Sequence, residues 1–330
     1  MKQRRDTSNK YSVNAGAFGQ QILSLDYFYK QMGSLGSVFQ RAVARANPHE
    51  IVSRDTELAA YIPHCSGLGD RHYIEYNPSA ARDIIKLLQF RFHEMTHVFQ
   101  YQKTPVLHAV SINPVADDLG IMLSPKAYLQ ASILLEQDAA AKESWLIAEA
   151  LKACSVPKTM QGTNGYNYAQ RIAGQFHVMH DVWSTKMPRD ERLQRAINEL
   201  AMGGLDYEVS SGVSAKIAYG LSALHSYDEM IAQWKDMNGG QKPVLVDLTK
   251  QDILEIGNSF GPNSFADTKG QLHNVFASQF DLLPRIAVKK IFEQAHALGY
   301  SKPSSGVTLD QALSGSRCTR QDFLKLSLAP

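Results

Sequence analysis

The sequence predicts an α+β chain that is mainly helical, a short-stranded region with one buried helix followed by a larger all-helical region. Three observations lead there. Apolar residues recur every three or four positions over most of the chain. Two runs, Leu58–His64 and Arg71–Tyr76, have instead the short, turn-bounded pattern of strands. Beyond residue 165 the one strand-like run is Val244–Val246.

Composition narrows the function classes. The 330 residues carry 34 Lys+Arg against 32 Asp+Glu, and 44% of them are hydrophobic. A chain of this length can build a core without disulfide staples. Its near-neutral balance lacks the concentrated basic field that a nucleic-acid binder needs. No apolar run reaches the length of a membrane span. The cysteines, Cys65, Cys154 and Cys318, are too widely spaced for a disulfide scaffold or a Cys-based zinc site and suit a reducing compartment. No apolar segment follows the basic residues of Met1–Asp6, so the expected location is cytoplasmic, or exported without a Sec-type signal peptide.

In chain order, residues 1–15 are polar and are expected to form a disordered tail. Ile22, Leu25, Phe28, Met32, Leu35, Phe39 and Val43 mark one amphipathic helix over about 20–46, weakened by Gly33 and Gly36 and ended by Asn47-Pro48. The two strands come next, joined by Ser66–Asp70 as a hairpin, with Pro63 placing the first at or near a sheet edge. Asn77-Pro78-Ser79 opens a helix to about Gln102 that is apolar on most sides and therefore belongs in the interior. Thr104-Pro105 closes it, and 103–123 reads as mostly irregular. Ser124-Pro125 is an N-cap with proline at the first helical position, starting a helix to about Ala153. Residues 156–167 read as a linker between a 16–155 core and a 168–330 helical region. Helices are expected there at about 168–182, 190–202, 215–236, 250–258, 275–298 and 320–327.

The chemistry lies in His93-Glu94-Met95-Thr96-His97. Residues four apart share a helix face, so both imidazoles can address one ion, while Glu94 borders that face and can act as general base on a metal-activated water. Two histidines and a glutamate are costly inside an apolar helix unless paired or metal-bound. A catalytic zinc needs a third protein ligand. Glu136, Glu143 and Glu149 are the candidates. Glu136 is favoured because it stands between Ile133-Leu134-Leu135 and Ala139-Ala140-Ala141, where an unpaired carboxylate is expensive, whereas Glu143 and Glu149 look like solvated helix charges.

The order of strand, H-E-x-x-H helix and later helix with a glutamate resembles the gluzincin branch of zinc metallopeptidases. The run Glu136-Gln137-Asp138-Ala139-Ala140-Ala141 is similar to the E-x-D-A-x-A signature of small bacterial metallopeptidase domains. The resemblance covers about 58–150. It implies a zincin-like core and one Zn2+ per chain on His93, His97 and Glu136. It further implies a protein or peptide substrate hydrolysed with Glu94 as base. Many gluzincins place an Asp four residues after the ligand Glu to orient a histidine. Here that position is Ala140, and Asp138 lies about 200° around the helix from Glu136, which leaves open what orients the histidines.

Substrate contacts are expected from Tyr73, Ile74 and Glu75, through edge pairing of an extended peptide. Tyr166, Tyr168, His177 and His108 are candidates for an oxyanion donor. His177 and Asp181 have the spacing of a local hydrogen-bonded pair, His64 and His72 flank the hairpin, and Tyr61, Tyr73 and Tyr76 read as packing residues. The other readings of the same residues are a zinc amidase acting on a non-protein amide and a catalytically inactive helical interaction protein.

Overall fold

The computed structural model describes residues 15–54, 56, 59–62, 72–112, 120–156, 158–182, 187–203, 205, 214–273, 285–314 and 319–320. Residues 1–14 of the expected tail, the hairpin connection with Pro63, His64 and Cys65, the segments 113–119 and 274–284, and 321–327 of the last expected helix lie outside these residues. The described chain is mainly helical, as expected, with two small sheets where one was expected. It forms two compact units, one of Met1–Val98 with Lys142–Val178 and one of Phe99–Ala141 with Met179–Pro330. The reading from sequence set a single cut at 156–167.

The first unit opens with three helices where periodicity indicated one: α1 (Ala15–Ser24), α2 (Asp26–Gln31) and α3 (Ser34–Ala46). Two glycines explain the break between α2 and α3. Gly33 has φ +62°, a left-handed backbone, and a Cβ on Gly36 would lie 1.9 Å from the Tyr29 carbonyl oxygen. The apolar positions still point inward, and Tyr29, Phe39 and Phe92 form an aromatic cluster with centroids 5.0–6.0 Å apart.

The sheet holds one strand that the pattern did not reveal. β1 (His49–Val52) pairs parallel with β3 (Tyr73–Tyr76), which pairs antiparallel with β2 (Ala59–Ile62), giving the order β1-β3-β2. β2, the described part of the Leu58–His64 run, is thus an edge strand, as Pro63 suggested. The edge pairing expected of Tyr73, Ile74 and Glu75 is corrected: β3 is central, and all four of its residues have partners on both sides. Ile74 is fully buried, and the Tyr73 ring meets His49.

Strand alternation decides which side chains of the sheet can meet. Ile74 lies opposite Glu50 on β1 and Tyr61 on β2, so these three share a face, with Tyr76 two residues on and His72 two residues back, just before β3. Diagonal cross-strand neighbours lie within reach of long side chains. Tyr76 accordingly donates to Glu50 Oε2 at 2.9 Å, and the Tyr61 hydroxyl lies 2.9 Å from His72 Nδ1.

The expected Asn77–Gln102 helix is split into α4 (Pro78–Arg82) and α5 (Ile84–Lys103). Asn77 caps the first through Ser79 N–H. Asp83 Oδ1 accepts from Ile85 and Lys86 at the start of the second, and its Oδ2 accepts from Gly165 N–H at the start of α8 (Asn164–Asp181). Residues 103–123 are not irregular throughout. Thr104-Pro105, read as a stop, also starts α6 (Pro105–Ile112), since proline fits the first helical position, and β4 (Ile121–Leu123) comes after it.

In the second unit β4 pairs parallel with β5 (Val244–Val246), the strand anticipated there. α7 (Pro125–Ala153) starts where Ser124 Oγ accepts from Ala127 N–H. Most of the core is made with α10 (Ala215–Asn238) and α12 (Arg285–Ala297). One cluster joins Leu129 and Ile133 to Leu224 and Ile291, and another joins Met122, Tyr227, Trp234 and Leu245. α9 (Arg189–Gly203), α11 (Lys250–Gly257) and α13 (Leu309–Ser314) complete the unit; α13 was not foreseen. Among the described residues no helix is long and apolar enough to cross a membrane.

Candidate metal centre

One helical turn brings the two motif histidines together. On α5 the His93 and His97 ring centroids are 5.0 Å apart and their Nε2 atoms 3.3 Å apart. Glu94 and His97 are buried, while the His93 side chain keeps 18% of its surface exposed. Glu136 of α7 completes the group: His93, His97 and Glu136 each offer one ligand atom, and these atoms lie within 4.8 Å of one another. The group could hold a metal ion, and its members are the three ligands expected from sequence.

The residue that orients His93 is Glu143, whose Oε2 lies 3.0 Å from His93 Nδ1. A carboxylate accepts, so Nδ1–H donates and the Nε2 lone pair is left facing the His97 ring. Glu143 is therefore not the solvated helix charge that its neighbours suggested; only 13% of its side chain is exposed. Seven residues are close to two full helical turns, so Glu143 and Glu136 share a face of α7, separated by about 10 Å along its axis. Spacing from Glu136 is the signal that could have found it.

Asp138 points away from that face and has another task. Fully buried, it accepts from Gln100 Nε2 at 2.8 Å, from Ser259 Oγ at 2.6 Å and from Ser264 Oγ at 2.5 Å. Three donors compensate a carboxylate that would otherwise be costly there. Asp138 thus supports the loop that carries Ser259 and Ser264.

A second missed neighbour is Tyr61. Its ring lies nearly parallel to His97, at 18° and 6.3 Å between centroids, and its hydroxyl meets His72. Tyr166 and His177 take no part in the cluster of candidate ligands. Both are on α8, where the Tyr166 hydroxyl accepts from Gln170 and the His177 ring packs on Phe176. Asp181 bonds to His180, at 3.2 Å, not to His177. His108, on α6, is buried beside the Tyr101 ring.

Glu143→Gln tests the orienting contact. The amide keeps the shape of the carboxylate but not its charge, so affinity for a divalent ion is expected to fall about 10- to 100-fold with the fold retained. Competition against a chromogenic chelator, with circular dichroism as the control, measures both. Comparison with protein-family models, with curated proteins and with solved structures finds no match for this chain.

Proposed function

We propose that this chain is a zinc-dependent hydrolase of peptide bonds with a zincin-like core, in which His93, His97 and Glu136 hold one Zn2+ and Glu94 is the general base. The observation that carries this reading is the pair of Nε2 atoms facing each other at 3.3 Å while Glu143 keeps the His93 proton on Nδ1. Two nitrogens bound to one tetrahedral zinc, each about 2.0–2.1 Å from it, stand about 3.3–3.4 Å apart. A carboxylate as third ligand is a known catalytic donor set with two histidines.

Zinc bound there would lower the pKa of its water to about 7 and polarise a substrate carbonyl. Glu94, adjacent to His93 in the chain and buried, would accept the proton of the attacking water and pass it to the departing amine. Glu143 holds His93 in the tautomer that a ligand needs. Substrate backbone cannot add to β3, whose two sides are occupied. Among the described residues the edges of this sheet are β1 and β2, where an extended peptide could add.

Metal analysis of the purified chain tests the proposal. The wild type is expected to hold about one zinc per chain and to cleave members of a mixed peptide library detectably by mass spectrometry. Glu136→Ala is expected to lose most of its zinc, and cleavage with it. A wild-type chain that takes up no zinc at micromolar concentration, or a Glu136→Ala chain with unchanged affinity, would overturn the ligand set.

A further inference from the structure

The histidine pair is held from a second direction by the sheet. Tyr61 on the edge strand β2 stands opposite Ile74 of β3, and His72 is its diagonal neighbour across the ladder. That register lets the Tyr61 hydroxyl meet His72 Nδ1 at 2.9 Å, and the resulting pair lays the phenol ring along the His97 imidazole. His72 and His97 are each less than one-tenth exposed, and Tyr61 is half-buried.

We propose that Tyr61 is a positioning residue for His97 and that His72 is the anchor that holds Tyr61 in place. This rests on the metal-site reading above. A five-membered ring on a Cβ–Cγ bond turns easily about χ2, and turning it would carry His97 Nε2 away from His93 Nε2. Glu143 prevents that rotation for His93 through Nδ1. For His97 a nearly parallel aromatic ring does it by contact, since offset aromatic pairs at this separation resist rotation of either member. The hydroxyl bond to His72 restrains the phenol on β2, an edge strand among the described residues. The two histidines are thus oriented by different means, one by a carboxylate from α7 and one by a Tyr–His pair from the sheet.

Cobalt(II) titration of the metal-free full-length chain tests this, because its visible bands report ligand geometry independently of turnover. Tyr61→Leu, which removes the ring, is expected to weaken cobalt binding about 10- to 100-fold and to alter the bands. Tyr61→Phe keeps the ring and is expected to keep the band positions, with a smaller loss of affinity. His72→Leu should also cause a smaller loss, and the Tyr61→Phe/His72→Leu double variant should lose less than the sum of the two, since both single variants remove the same Tyr61–His72 bond. Wild-type affinity and spectrum in Tyr61→Leu, or simple addition of the Tyr61→Phe and His72→Leu losses, overturns the positioning role while leaving the metal site standing. A wild-type chain that binds no cobalt overturns the site and the positioning role together. Tyr61→Phe also serves as the conservative variant should Tyr61→Leu fail to fold.

Discussion

Glu94→Gln is expected to leave the zinc content at the wild-type level and to reduce peptide cleavage about 100- to 10,000-fold, the range that a positioned general base contributes. The substitution isolates one property. Glutamine has the volume and planar shape of glutamate, so the buried site next to His93 stays filled. Its amide can still accept and donate hydrogen bonds, but at neutral pH it cannot take a proton from water. A ligand would show itself differently, because its loss releases metal. Paired measurements of metal by atomic absorption and cleavage rate by mass spectrometry separate the two roles. Retained cleavage in Glu94→Gln would remove Glu94 from the mechanism. Zinc lost in step with cleavage would make it a ligand.

The candidate ligand group was legible in the sequence because its signals are local. Four-residue spacing puts His93 and His97 on one face whatever surrounds the helix, and the apolar neighbours of Glu136 mark it as a carboxylate that needs a partner. The long helix α7 was legible for the same reason, since Ser124-Pro125 states its start. What stayed hidden depends on contacts between segments far apart in the chain. β1 is four residues long, with His and Glu among them, and only its parallel pairing with β3 makes it a strand. Missing it turned β3 from a central strand into an apparent edge and misplaced the expected substrate contacts. Glu143 looked solvated because its sequence neighbours are polar, yet its partner is fifty residues away. The break between α2 and α3 arises with a close approach of Gly36 to Tyr29, which no periodicity displays.

The largest expected effect on stability lies beneath the motif rather than in it. Arg91, two residues before His93 in the chain, is 7% exposed and binds Glu50 of β1 with two parallel bonds, Nη2 to Oε1 at 2.8 Å and Nε to Oε2 at 3.0 Å. Its Nη1 donates to the Tyr29 hydroxyl at 2.8 Å, and the Tyr76 hydroxyl donates to Glu50. Burial pushes the Tyr29 hydroxyl up to about 12 and that of Tyr76 well above its ordinary value, so both phenols stay protonated at neutral pH. Burial alone would lower the guanidinium, but Tyr29 and Glu50 beside it more than offset this, and Arg91 stays charged. Such a pair need not add much relative to apolar residues of the same shape, because both ions lose their water. Removing one partner is another matter, since the survivor is stranded. Arg91→Met and Glu50→Leu are each expected to destabilise the chain by about 3–5 kcal/mol in urea unfolding. The Glu50→Leu/Arg91→Met double variant should cost clearly less than their sum, because neither charge then remains to be solvated. Simple addition of the two losses would mean that the charges act independently and that the sheet is not tied to α5 through this pair.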